Sequence, residues 1–184
     1  MNEYERKKLN EFNLEQGIIW ILGEINETQM MNVMDLLNYY DDKAYTNIKM
    51  MIASPGGSKN CAFAIKDKIR LLQKKGIIVE TYVVSSSASA ATIISTSGTK
   101  GNRYIYPSAS ELIHSVSSTI SGNIDDAENK MKSMRRAQLS VIKHYEETTN
   151  MNTEEIQKAI AFDNELDAAE CLKLGLVDKI LEGE

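Results

Sequence analysis

Short apolar runs and helix-period segments take turns along this chain, and that alternation limits its fold more than any other feature. Residues 18–22 (IIWIL) are a continuous apolar run, as expected of a strand covered on both faces, and residues 47–53 (NIKMMIA) and 77–84 read as two further strands. After the first, Asn26 opens a stretch in which Met30, Val33, Met34 and Leu37 recur at three- and four-residue steps. After the second, Cys61, Phe63, Ile65, Ile69 and Leu72 mark a helix that ends near Gly76. Strands and helices in that rhythm form parallel pairs joined by right-handed crossovers, so the fold class is α/β, built of βαβ units. Further on, residues 90–97 suit a helix and residues 103–106 and 111–114 two short strands around Pro107. Residues 125–147 read as a long helix with an apolar stripe through Met131, Met134, Leu139 and Ile142, and its charged stretch 130–136 as a solvated face. Helices from Thr153 and over 167–173, then a strand over 176–180, close the pattern.

A length of 184 residues corresponds to one domain. We divide it into an N-terminal segment, residues 1–17, and a single domain over 18–184. Lys and Arg total 21 against 26 Asp and Glu, a net charge of −5, which argues against a nucleic-acid partner. No apolar run reaches the length of a membrane span. Residues 1–16 are charged throughout and contain no signal-peptide core, so the expected location is the cytoplasm. Cys61 and Cys171 form no paired motif and read as small buried hydrophobes, without a disulfide or metal role. Met30, Met31, Met34, Met50 and Met51 sit at helix or strand spacing and read as core or interface.

Ligands of parallel sheets gather beyond the carboxyl ends of the strands. Two of those ends are rich in small residues: Ser54-Pro55-Gly56-Gly57-Ser58 and Ser85-Ser86-Ser87-Ala88-Ser89. The paired glycines let backbone N–H groups face a crevice, where they suit an oxyanion or phosphate; a plain tight turn uses the same residues. Neither the Walker A nor the Rossmann glycine pattern is present. Taken alone, the serine run is more often a polar turn or a close helix-packing surface than a nucleophile, although a serine at the head of a helix suits negative charge. A serine nucleophile needs a base, and only His114 and His144 are available. His144, in the charged stretch Lys143-His144-Tyr145-Glu146-Glu147, reads as a solvated surface residue. His114 ends the apolar Leu112-Ile113-His114 and is the better base. Carboxylates are too numerous for composition to choose a third partner.

In this order the segments resemble the Clp protease proteolytic subunit (ClpP) family. Ile52-Ala53-Ser54-Pro55-Gly56-Gly57-Ser58 is similar to that family's INSPGGS turn, and Ala88-Ser89-Ala90-Ala91 to its AASMG nucleophile segment. Gly98-Thr99-Lys100-Gly101-Asn102-Arg103 resembles GAKGKR, and Leu112-Ile113-His114 resembles MIH. Phe162-Asp163-Asn164, Ala168-Ala169-Glu170 and Gly175-Leu176-Val177-Asp178 are similar to RDN, AEEA and GLID. The resemblance spans about Ile18 to Leu181.

The resemblance implies Ser89 as nucleophile, His114 as general base and Asp163 as the carboxylate that orients the imidazole. It implies an oxyanion hole of the Gly57 and Ala90 backbone N–H groups. The implied fold is the ClpP/crotonase-like superfold with a protruding long helix. The implied assembly is a homo-oligomer of two stacked heptameric rings. Its substrates would be unfolded polypeptides, cut to short peptides after an AAA+ unfoldase delivers them. Hydrolysis itself would need no ATP, metal or other cofactor.

Departures from the family pattern carry their own implications. The segment before the first strand is short for an axial loop. Lys49 and Met51 stand where the family has aromatic residues of the unfoldase pocket, Phe162 where it has arginine, Val116 where it has proline, and Ser85 where it has glycine. Alternative readings are a ClpP-like phage head-maturation protease, a catalytically silent or regulatory ring subunit, and a crotonase-type acyl-CoA binder.

Overall fold

A computed structural model describes residues 2–181. Thus Met1 and residues 182–184 of the two expected segments lie outside the described residues. Helix α1 spans Glu3–Glu15, and strand β1, Ile18–Leu22, leads to α2, Glu27–Asp42. Strand β2, Asn47–Ser54, runs through the glycine turn into α3, Lys59–Lys74. Next come β3, Ile78–Ala88, the short α4, Ala90–Ser95, and two small strands, β4, Arg103–Ile105, and β5, Ser110–Ile113. The long α5, Ile124–Thr148, precedes α6, Thr153–Ile160, β6, Asn164–Asp167, α7, Ala168–Leu174, and β7, Lys179–Ile180.

The seven strands form one sheet with the path β1-β2-β3-β4-β7. Strand β3 is long enough to hold two partners in succession. Thr81 to Val83 pair with β4, and Ser86 to Ala88 pair with β5. All pairs are parallel except β5 with β6, which is antiparallel. The α/β class and the alternation read from sequence therefore describe the architecture.

One face of the sheet carries the core. Ile19, Ile21, Ile48, Met50, Ile52, Val79 and Val83 are buried together with Val33 and Leu37 of α2 and Ile65 and Ile69 of α3. Apolar burial at about 25 cal/mol per Å² makes this contact the main stabilising contribution. The expectation of coverage on both faces fails at β1, where Trp20 and Leu22 remain 44% and 56% exposed. Helix starts follow local chemistry: Asn26 accepts the Gln29 N–H, and Ser58 accepts the Cys61 N–H. The same device builds α1, where Asn2 and Glu5 form a capping box on a helix with no buried residue.

Helix α5 departs from the expected stripe. Val141, Ile142, His144 and Tyr145 are buried, whereas Met131 and Leu139 are exposed. Only the carboxyl-terminal part of the helix lies on the domain; the preceding turns project from it, and among the described residues nothing covers Met131 or Leu139. The closing strand is shorter than residues 176–180, because Leu176 and Val177 are buried in the turn after α7. Cys61 and Cys171 are free and buried. Met50 is buried, but Met31 is exposed. Among the described residues no helix is long and apolar enough to cross a membrane.

A buried ion pair locks the far edge of the sheet. Arg103 on β4 is 1% exposed and donates from Nε and Nη2 to Asp178, at 2.8 and 2.6 Å. Its Nη1 donates to the Thr148 carbonyl at the end of α5, 2.6 Å away. Burial works against the Asp178 charge, but the Arg103 guanidinium outweighs it and holds the carboxyl below its ordinary range. Removing one partner strands the other charge in the interior. Asp178→Ala should therefore cost about 3–5 kcal/mol in urea unfolding at neutral pH. The difference from the parent should shrink as pH falls through the depressed titration of Asp178, where the parent loses the pair as well.

Candidate active site

Strand β3 ends at Ala88 and helix α4 begins at Ala90, so Ser89 makes the whole turn between them. Its backbone has φ 56° and ψ −120°, which for a residue with a side chain is strained by about 1–3 kcal/mol. Three contacts hold it there. The Ser89 N–H donates to the Leu112 carbonyl on β5 at 2.7 Å, and the Ser89 carbonyl accepts from the Thr92 N–H and Oγ1 at 3.1 and 2.6 Å. Gly56 presses on the turn from the third side, where a Cβ would stand 2.8 Å from Ser89 Cβ and 2.9 Å from Ala90 N. At φ +93° Gly56 also has a backbone that side-chain-bearing residues rarely adopt.

The side chain held by this turn meets an imidazole. His114 follows the last residue of β5, and its Nε2 lies 2.7 Å from Ser89 Oγ. Its Nδ1 lies 3.2 Å from Asp163 Oδ1, just ahead of β6. Antiparallel pairing sets the second distance, because Ile113 stands opposite Asn164 and so brings the ends of β5 and β6 together. With Nδ1–H donating to the carboxylate, Nε2 carries the lone pair that accepts the serine proton. The carboxylate itself stands mostly in solvent, its side chain 77% exposed.

Two amides border the same cavity. Ser89, His114, Gly57 and Ala90 line it, with Ile93 and Tyr145 behind them. Ala90 opens α4, so its N–H has no intrahelical acceptor. The Gly57 N–H donates to no backbone group among the described residues. A Cβ at Gly57 would stand 2.9 Å from Ile25 N, and its φ of +139° again calls for glycine. Hydroxyl, imidazole, carboxylate and free amides together suit acyl transfer: attack by an activated oxygen, with charge stabilised on the carbonyl oxygen.

All five residues singled out from sequence thus lie in one region. His144 corrects the reading of a solvated residue. It is 2% exposed, its Nε2 lies 2.8 Å from Thr96 Oγ1, and the ring stands edge-on to Phe63. Burial pushes its pKa down to about 3, helped by Lys66, Arg70 and Arg103, so it is neutral at physiological pH. Sequence reading missed the support around the turn, namely Thr92, Ser95 and Glu111. Glu111 was read only as a strand residue, although a carboxylate in an apolar strand was a readable signal.

Comparison with known proteins then places the chain. The family model described as Clp protease matches residues 2–184. The ATP-dependent Clp protease proteolytic subunit 1 of Rhodopirellula baltica is 30% identical over 184 residues, covering 98% of this chain and 80% of the relative. The ATP-dependent Clp protease proteolytic subunit of Lactococcus lactis is 30% identical over 176 residues, covering 92% of this chain and 85% of the relative.

Two outcomes follow from the geometry. Gly56→Ala should slow modification of Ser89 by a fluorophosphonate about 10²-fold, because displacement of a reacting group by about 1 Å has that effect. For His144, the unfolded imidazole takes up its proton at higher pH than the folded one. The parent should therefore lose stability as pH falls from 6.5 towards 3, and His144→Gln should flatten that part of the Tm profile.

Proposed function

The chain belongs to the Clp protease family, and from that membership we propose that it is the proteolytic subunit of a serine endopeptidase that works with an ATP-driven unfoldase. The carrying observation is the double contact of one imidazole, 2.7 Å from Ser89 Oγ and 3.2 Å from Asp163 Oδ1. In this reading Ser89 attacks the scissile carbonyl while His114 Nε2 takes its proton. The collapse of the tetrahedral intermediate breaks the C–N bond, and the imidazolium gives the proton to the departing amine. Water then repeats the sequence on the acyl-enzyme, with His114 again as base. Asp163 keeps Nδ1 protonated and the ring aligned.

The Gly57 and Ala90 N–H groups stabilise the oxyanion, and loss of one such donor costs about 3–4 kcal/mol. Each step needs only side chains and backbone of this chain, so the hydrolysis itself consumes no ATP. The relatives' names, which include "ATP-dependent", support an ATPase partner that unfolds substrate and delivers it. Unfolded polypeptide is the substrate class, cut to short peptides in the cytoplasm. We assign a homo-oligomer of two stacked heptameric rings from the family resemblance. The exposed Ile124, Met131 and Leu139 on the projecting part of α5 support burial of that helix in an assembly.

Ser89→Ala should abolish fluorophosphonate labelling and lower cleavage of a fluorogenic peptide by about 10⁶-fold. Full peptidase activity in Ser89→Ala would overturn the assignment. Asp163→Asn should cost less than the roughly 10⁴-fold typical of a buried triad aspartate, since solvent already competes for this one. Light scattering on the purified chain checks the assembly. Faster degradation of a folded, tagged substrate on addition of the unfoldase and ATP checks the partnership.

A further inference from the structure

Beneath the catalytic turn lies a carboxyl group that the proteolytic mechanism does not use. Glu111 on β5 has no exposed surface. It pairs across the sheet with Ser87, two residues before Ser89, and stands three residues before His114. Its Oε1 is hydrogen-bonded to the Ser95 hydroxyl of α4, the helix that Ser89 begins. The Ser95 hydroxyl also reaches the Thr92 carbonyl at 3.2 Å and the Ser87 hydroxyl at 3.4 Å. One side chain therefore ties together the three elements that carry nucleophile and base: the end of β3, α4 and β5.

Hydrogen-bond accounting shows the protonation state this cluster fits. A carboxylate has two oxygens that both seek donors, yet Glu111 Oε2 has no partner. A neutral acid closes the chain. Protonated at Oε1, it would donate to Ser95 Oγ in place of accepting from it, leaving the Ser95 O–H to the Thr92 carbonyl and Oε2 as a weak carbonyl acceptor.

The facing groups supply little compensating charge. Around the carboxyl stand the Ser87 hydroxyl of β3, the Ser95 hydroxyl of α4, Arg103 of β4, Tyr145 of α5 and Cys171 of α7. Strand β6 offers the apolar Leu166 opposite Glu111. Tyr145 and Cys171 are held protonated, both pushed up by burial. Arg103 is the nearest cation, and Asp178 already holds it through two hydrogen bonds. Burial accordingly pushes the Glu111 pKa up to about 7, against the opposing influence of Ser95, Ser87 and Arg103.

We propose that Glu111 is a positioning residue of the proteolytic site, which as a neutral acid clamps β5 to α4 and so holds His114 against Ser89, and which loosens that clamp when it ionises. The proposal rests on the reading of Ser89 and His114 as nucleophile and base. A bare carboxylate in this place must either draw in water or move away from Ser95, and each parts the strand that carries the base from the helix that follows the nucleophile.

The experiment measures the rate of fluorophosphonate modification of Ser89 from pH 5 to 9 on the full-length chain in its purified assembly, with Tm recorded alongside. The parent should slow on the alkaline side, with a midpoint near 7. Glu111→Gln, whose amide donates to Ser95 Oγ and cannot ionise, should keep the neutral-pH rate within about threefold and lose the alkaline fall. Glu111→Leu fills the space without a hydrogen bond and should slow labelling about 10²-fold at every pH. A folded Glu111→Leu that labels at the parent rate, or a Glu111→Gln that keeps the alkaline fall, overturns the proposal. If Glu111→Leu does not fold, Glu111→Gln alone decides. Labelling of Ser89→Ala would instead show that the underlying assignment of nucleophile had failed.

Discussion

A single backbone hydrogen bond, from the Ser89 N–H to the Leu112 carbonyl at 2.7 Å, sets the geometry on which the site depends. It stitches the strained turn after β3 to the strand that delivers His114 two residues later. A turn at φ 56° is worth about 1–3 kcal/mol of strain, so it persists only where the surroundings over-determine it. Gly56 behind, Leu112 beside and Thr92 in front do so. The strain aims the hydroxyl at the imidazole and leaves the Ala90 amide unpaired at the head of α4. Relaxing Ser89 into ordinary strand or helix backbone would withdraw both features together.

How much of this could be read from the sequence depended on whether the signal was local. The β1-α2-β2-α3-β3 rhythm was legible because its apolar spacing is local, and Gly56-Gly57 because positive φ after a strand demands glycine. The serine run misled for a tertiary reason. Its polarity suggests a turn, yet Ser86 to Ala88 continue β3 because β5 arrives to pair with them. His144 misled likewise: its sequence neighbours are charged and solvated, but helical spacing sets it beside Tyr145 and Ile142 on the buried face, against Thr96 and Phe63. Helix α1 carries no apolar stripe to betray it, only the Asn2 and Glu5 capping box. Asp163 could not be chosen from composition, since its place beside His114 comes from the antiparallel pairing of β5 with β6.

Charge is handled in three distinct ways within this one domain, and burial decides which. Arg103 and Asp178 are buried as a full bidentate pair, so neither charge is left alone. Asp163 stands in solvent and touches the imidazole from outside. Glu111 has neither a cation of its own nor solvent, and burial raises its pKa to about 7. The environment of a carboxyl, more than its identity, thus separates a buried ion pair, a solvated contact to an imidazole and a buried acid with a raised pKa.

Helix α5 joins the site to the exposed surface of the domain. Its last turns supply Val141 and Tyr145 to the cavity wall, and the Tyr145 hydroxyl is bonded to Thr92, which holds the Ser89 carbonyl. One turn earlier, the Gln138 side chain accepts the Val116 N–H at 2.7 Å and so fixes the segment that follows His114. Tyr145 and Gln138, which brace the segments around Ser89 and His114, therefore stand on a helix whose preceding turns project from the domain with Met131 and Leu139 exposed.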